Sequence, residues 1–277
     1  LAKVEVWKLK RERRECMRKF LSLVILGFLV FPALASVSAA DLERMATKDV
    51  IPEIRLAAGY ALVNYYATTK TETELLNLAE TGATEAIRLA ASLALSQKWV
   101  GAGKTRDELM TVITEGKTPE VRAAAVNALM ELLVTDKADA LLELAKSGAT
   151  EELQYAAGKA YLQKIRAKLD RAQLESICAD ETLSSGYRKA AAEVLAGYYL
   201  FPEHQALSRS QLEEQALKGT NPYLRYAAAY ALVNFLVDES ADALYKKVVS
   251  LFLAPGISAE YRWAYARTLG LKWAAGL

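Results

Sequence analysis

Two stretches of the chain, 222 − 52 = 170 positions apart, are nearly the same: PEIRLAAGYALVNYY from Pro52 and PYLRYAAAYALVNFL from Pro222. Anchored on Arg55, the pattern recurs at Arg88, Arg122, Gln154, Arg188, Arg225 and Arg262, in steps of 33, 34, 32, 34, 37 and 37 residues. Self-similarity at such a period marks a repeat architecture, in which no unit buries its apolar face alone.

The columns around the anchor have helical spacing. One position before it stand Ile54, Ile87, Val121, Leu153, Tyr187, Leu224 and Tyr261. Two positions after it every copy has Ala, and seven after it come Leu62, Leu95, Leu129, Tyr161, Leu195, Leu232 and Leu269. At 3.6 residues per turn these offsets gather on one side, and the constant Ala marks a close approach by a neighbouring helix. A second helix fills each interval, with Leu42, Leu75, Leu109, Leu141, Leu174, Leu212 and Val249 about thirteen positions before the anchors. Gly82, Gly116, Gly148, Gly219 and Gly256 stand where a left-handed helix cap is expected. Thr84, Thr118, Thr150, Asn221 and Ser258 follow as N-caps, with Pro119 and Pro222 in the first turn. The expected fold is all-α: about seven helix pairs stacked as an α-solenoid.

The run TPEVRAAAVNAL resembles the HEAT repeat, especially the bacterial HEAT-like repeats related to phycobilisome lyases, whose pattern is D-P-x-V-R-x-A-A-x-A-L. The resemblance covers about residues 41–274 and implies an armadillo-type, right-handed α-α superhelix. It also implies a structural role for the arginine column. The chain departs from the pattern in lacking the Asp before Pro, which Thr, Ser or Asn replaces.

Composition is that of a globular protein, 53% hydrophobic and 25% charged. The charge of +2 is unevenly spread. Met17 opens MRKFLSLVILGFLVFPALASVSAA, in which Arg18 and Lys19 precede an apolar run from Phe20 to Phe31. Small residues follow, and Ala33-Leu34-Ala35 and Val37-Ser38-Ala39 both fit a cleavage site. Residues 17–40 are therefore expected to be a signal peptide, residues 1–16 mis-assigned upstream translation, and residues 41–277 the exported solenoid, periplasmic or secreted. Without residues 1–40 the basic count is 35 − 8 = 27 and the acidic count 33 − 3 = 30, a net charge of −3. That is poor equipment for nucleic-acid backbones. Cys178 is then the lone thiol, with no disulfide expected.

No catalytic constellation stands out. His204 is the one histidine in the sequence, so neither a zinc site nor a Ser-His-Asp triad can be built around it. Gly101 to Lys104 (GAGK) lacks the spacing of a phosphate loop. Cys178 occupies an apolar column and reads as a small core residue. No catalytic residue, metal or cofactor is expected.

More informative are offsets +1, +5 and +8 of the anchor helices, expected to point away from the second helix layer. They read Leu56, Tyr60, Val63 in the first copy and Tyr226, Tyr230, Val233 in the sixth, with Trp263 continuing into the seventh. Together with Trp273 these are the candidate partner-binding residues, since aromatic side chains supply contact area at low entropic cost. The series ends on a lone anchor helix, expected to be uncovered and to self-associate or dock a partner. The expected function is a non-enzymatic, exported protein- or peptide-binding scaffold in the cell envelope. No nucleic-acid contact is expected, and no membrane contact after signal cleavage. The alternative is a lyase- or chaperone-like protein handling a small molecule or chromophore.

Overall fold

The computed structural model describes residues 37–201 and 206–276. Residues 1–36, with Cys16 and most of the expected signal peptide, and His204 lie outside them; residues 37–40, expected from the sequence to belong to that signal peptide, are described and open the first helix. Residues 37–277 form one compact unit. Fourteen α-helices make it up, with no strand among the described residues. They are α1 (Ala39–Lys48), α2 (Pro52–Thr69), α3 (Glu72–Thr81), α4 (Glu85–Gly101), α5 (Arg106–Glu115), α6 (Pro119–Leu133) and α7 (Ala138–Ser147), followed by α8 (Glu151–Lys164), α9 (Arg171–Ala179), α10 (Ser185–Tyr198), α11 (Arg209–Lys218), α12 (Pro222–Leu236), α13 (Ala241–Leu253) and α14 (Ala259–Ala274).

Local chemistry sets the helix starts. The side chains of Thr84, Thr118, Thr150, Asn221 and Ser258 accept from backbone N–H groups in the first turns of the anchor helices α4, α6, α8, α12 and α14. The preceding-layer helices α3, α5, α9 and α11 open with reciprocal capping boxes, such as Thr71 with Glu74. Several N-caps also tie one pair to the previous one. The hydroxyls of Thr84 and Ser258 donate to the carbonyls of Ala46 (2.7 Å) and Ala216 (2.6 Å), at the ends of α1 and α11.

The glycine column has a different cause from the expected one. Gly82, Gly116, Gly148 and Gly219 have φ near −55° rather than a left-handed value; of the five, Gly256 alone is positive, at 75°. A Cβ on Gly82 would sit 2.5 Å from the Leu78 carbonyl and 3.1 Å from Cγ of Arg88. The glycine thus avoids the carbonyl of the preceding turn and leaves room for the anchor arginine, whose Nη1 donates back to the Gly82 carbonyl at 3.1 Å. Arg122 and Arg225 do the same to Gly116 and Gly219, and Gln154 to Gly148.

Each odd-numbered helix packs on the even-numbered helix after it, and successive even-numbered helices pack side by side. The constant alanines lie in those contacts; Ala57, Ala90, Ala124, Ala156, Ala190, Ala227 and Ala264 are all 0% exposed. The leucine column of the odd-numbered helices is likewise buried, except that in α13 Val248 and Leu244 take the inward place and Val249 does not.

The expectation of an uncovered last helix is corrected by the packing. Helix α14 packs against α2 as closely as internal neighbours do, and α13 also reaches α2, as α1 reaches α4 and α11 reaches α14. The even-numbered helices therefore form a closed circuit, α2-α4-α6-α8-α10-α12-α14-α2. Gly270 makes the closure possible, because a Cβ there would lie 2.5 Å from the Ala57 carbonyl and 2.7 Å from the Tyr60 Cβ. The apolar flank of α14 is covered by the chain's own first anchor helix, and Trp273 is 2% exposed.

Candidate functional site

Neighbouring even-numbered helices run parallel, so their first turns gather on one rim of the ring and their last turns on the other. On the first rim the anchor arginines form a ladder. Arg88 pairs with Glu120 (2.7 Å), Arg122 with Glu152 (3.3 Å) and Arg225 with Glu260 (3.0 Å). Each acid stands two residues before the next anchor. Arg262 closes the ladder on Glu53 at 2.9 Å. Where Tyr223 replaces the acid, Arg188 lies over its ring, 4.4 Å from the centroid.

One rung is open. The position opposite Arg55 is Ala86, and among the described residues no carboxylate lies within ion-pair distance of Arg55. Its Nη1 donates to the Asp49 carbonyl at 2.6 Å. Asp49 itself is held above the usual carboxylate range by burial, against which its hydrogen bond from Ile51 and the Arg55 charge act.

The open rung faces a cleft of about 410 Å³. Its walls come from the first turns of α2, α4 and α14 and the end of α1. Arg55, Glu53, Arg262 and Glu85 supply polar groups, and Leu56 and Trp263 an apolar surface. The Glu53 Oε2 is buried without a hydrogen-bond partner. The three helix N-termini favour an acceptor-bearing ligand, an effect added to the Arg55 charge.

Behind the cleft, Trp263 joins an aromatic cluster that faces the ring axis. Its Nε1–H donates to the Tyr60 hydroxyl at 3.0 Å. Its ring stacks on Tyr230 (centroids 5.9 Å) and tilts against Tyr226 (5.4 Å). The Arg267 guanidinium sits 5.2–5.4 Å from the rings of Trp263, Tyr230 and Tyr60. The chain of contacts continues through Tyr226, which donates to Glu193 (3.0 Å), and Glu193, which pairs with Lys159 (2.7 Å). The Glu193 side chain is only 9% exposed, so it depends on these two donors. Burial, then the Glu193 charge, pushes the phenols of Tyr155 and Tyr226 well above the usual range. Arg267 on α14 acts electrostatically on Tyr155 on α8, so polar groups from nearly opposite sides meet.

Of the expected binding residues, the structure brings together Leu56, Tyr60, Tyr226, Tyr230 and Trp263. They face the ring axis rather than an outer surface. Val63 and Val233 are each 9% exposed and Trp273 2%, so these three belong to the packing and offer no surface. Residues not anticipated are Arg55 as an unpaired cation, Arg267 and the Lys159–Glu193 pair. The acid two positions before the next anchor was the readable sign of the first. Cys178 is fully buried, and that burial pushes its thiol up to about 12. Among the described residues, no group of His, Cys, Asp and Glu is arranged to hold a metal ion. Comparison of the chain with family models, with curated proteins and with solved structures returns no match.

Proposed function

We propose that the chain is a HEAT-like array of about seven helix pairs with right-handed winding, exported from the cytoplasm, which acts without catalysis as a binding module for a protein or peptide. Support for the repeat assignment lies in the recurring arginine, alanine and N-cap columns and in the pairwise packing. A closed ring offers no long concave groove, so the partner is taken at the rim, as a short segment in the cleft between α14, α2 and α4. The observation that carries this reading is Arg55, the one arginine of the ladder facing that cleft with neither an ion pair nor a ring across its rung, its guanidinium held by the Asp49 carbonyl. A carboxylate of the partner completes the rung, and an apolar side chain covers Leu56 and Trp263.

Isothermal titration calorimetry with short peptides tests the reading. Peptides with an apolar last residue and a free C-terminus should bind, and amidation or Arg55→Gln should weaken them by about tenfold, the usual worth of a charge-assisted pair. Equal binding by Arg55→Gln would remove the assignment.

The cleft volume also favours a second reading, a small molecule or chromophore handled by a lyase- or chaperone-like protein, since it matches ordinary ligand pockets. Native mass spectrometry of the purified protein separates the two, because a co-purifying small molecule would support the second.

A further inference from the structure

The even-numbered helices enclose an axis that solvent reaches. Leu93, Asn127, Tyr230 and Arg267 stand five positions after their anchors, halfway along α4, α6, α12 and α14 on the axial face, and none is fully buried. Water reaches that depth along the axis, so the ring has a lumen. Seven parallel helices about 9 Å apart hold their own axes roughly 10 Å from the centre. Helix radii of about 5–6 Å then leave an opening roughly 10 Å across, room for one slender molecule but not for a helix.

The lining divides into two walls. At offsets +1, +5 and +8 of all seven even-numbered helices stand three cations, Lys159, Lys189 and Arg267, against one acid, Glu193, a surplus of 3 − 1 = +2. The odd-numbered helices pack on the far side of this layer. One turn further out, at offsets −3 and +12, Glu85, Glu151 and Arg166 leave the sum positive, 2 − 2 + 1 = +1. Lys159 takes up Glu193 at 2.7 Å. Lys189 lies over the Tyr155 ring, 5.2 Å from its centroid, and Arg267 lies among its three rings. Neither makes an ion pair among the described residues. The buried polar atoms without a partner belong there to Glu53, Arg262 and Trp273, so the free N–H groups of Arg267 open onto the lumen. The other wall is apolar: Leu89, Leu93 and Met130 of α4 and α6 are half-buried. Beside them the short Ala123 and Asn127 leave room where α8 holds Tyr155 and Lys159 and α14 holds Trp263 and Arg267.

We propose that the lumen binds one small amphipathic carboxylate, its head on Arg267 and Lys189 and its alkyl chain along Leu89, Leu93 and Met130. Both cations act on Tyr155, so one head group meets both. The partly enclosed, ring-flanked guanidinium makes a charge-assisted hydrogen bond there stronger than one in open water. The site lies behind the rim cleft and does not depend on what that cleft takes.

Isothermal titration calorimetry of the purified protein with decanoate, decyltrimethylammonium and acetate, at concentrations that form no micelles, is the test. One decanoate per chain is expected, with the other two at least about tenfold weaker. Arg267→Gln and Lys189→Gln should each weaken decanoate by about tenfold. Ala123→Phe, which fills the space beside α6, should abolish its binding. Lys189 is exposed and Ala123 faces the lumen, so both of these variants should keep the wild-type melting temperature, which guards against a misfolded Arg267→Gln. No decanoate binding, equal binding of decyltrimethylammonium, or binding unchanged in all three variants overturns the proposal. So does binding lost on Arg55→Gln but kept on Arg267→Gln, which would seat decanoate in the rim cleft.

Discussion

Arg262 and Glu53 lie 209 positions apart (262 − 53 = 209) and form an ion pair at 2.9 Å, between the same two repeat positions that pair Arg88 with Glu120, Arg122 with Glu152 and Arg225 with Glu260. The ring closes with the contact it uses to propagate. Glu53 is largely buried and Arg262 about a third exposed, so the pair works at intermediate dielectric.

Closure should therefore be measurable as a long-range coupling. Glu53→Gln and Arg262→Gln should each lower stability, with a coupling of about 1 kcal/mol in a double-mutant cycle. Gly270→Val should cost more, roughly 2–3 kcal/mol, because the Ala57 backbone cannot yield to the added atoms. Gly101→Ala, whose new Cβ meets nothing within 4 Å, is the control and should be neutral or slightly stabilising. Urea denaturation checks all four. A Gly270→Val protein as stable as wild type would mean that α14 and α2 are not in contact in solution.

Ala124→Leu should destabilise far more than Ala123→Leu. Ala124 is 0% exposed between parallel helices, and overpacking there costs about 1–3 kcal/mol. Ala123 is half-buried on the axial face, where the same position in other copies holds Leu56, Tyr155 and Trp263. Its substitution should stay within about 0.5 kcal/mol. Equal shifts in melting temperature would mean that the two faces of α6 are misassigned.

The helical periodicity, the N-caps and the constant alanines made the pairs and their facing readable before any coordinates. Ring closure was not readable in the same way, because it depends on small rotations between neighbours accumulated around the array. Its local sign was present at Gly270, a small residue where α14 meets the Ala57 backbone. The aromatic residues Tyr60, Tyr226, Tyr230 and Trp263 were correctly grouped as one face. They point away from the odd-numbered layer, as the offsets imply; ring closure turns that face to the axis, where an open array would turn it to solvent. The glycine column was assigned to a left-handed cap, whereas in four of the five copies a side chain there would run into the carbonyl of the preceding turn, 2.5–2.6 Å from the added Cβ, and crowd the anchor stem packed over it. Arg55 was one of six equivalent arginines until Ala86 was seen to stand opposite it.

Alkaline pH should unfold the protein cooperatively. Burial pushes the phenols of Tyr60, Tyr155, Tyr199 and Tyr226 above their ordinary value near 10, and the Cys178 thiol from 9.0 to about 12. These acids are neutral in both states below pH 9, so their contribution to stability is full there. Above it the unfolded chain releases protons that the folded one retains, and stability falls as pH rises from about 9 towards 12. Tyrosinate absorbance and the loss of helical ellipticity should rise together. Gradual tyrosine ionisation with helix content intact would show that these phenols are open to water.

The last prediction concerns where an exported chain is cut. Both Ala33-Leu34-Ala35 and Val37-Ser38-Ala39 fit a signal peptidase, but the two sites differ in what they leave behind. Ser38 is the N-cap of α1: its hydroxyl oxygen accepts from the Asp41 N–H at 3.2 Å and donates to the Asp41 carboxylate at 2.7 Å. That hydrogen bond, with the nearby Arg44, holds the Asp41 carboxyl below the usual range. Val37 is 9% exposed and so is part of the core. Cutting after Ala39 removes both; cutting after Ala35 keeps both. The cap contributes about 1 kcal/mol and the buried valine a similar amount. A chain beginning at Ser36 should therefore be about 2 kcal/mol more stable than one beginning at Ala40, and α1 in the shorter chain should exchange its amide hydrogens faster. N-terminal sequencing of exported material should find Ser36, earlier than the boundary at residue 40 expected from the sequence, because that start leaves the first helix capped. Recovery of protein starting at Ala40, with a melting temperature equal to that of the longer chain, would remove Ser38 and Val37 from the folded unit.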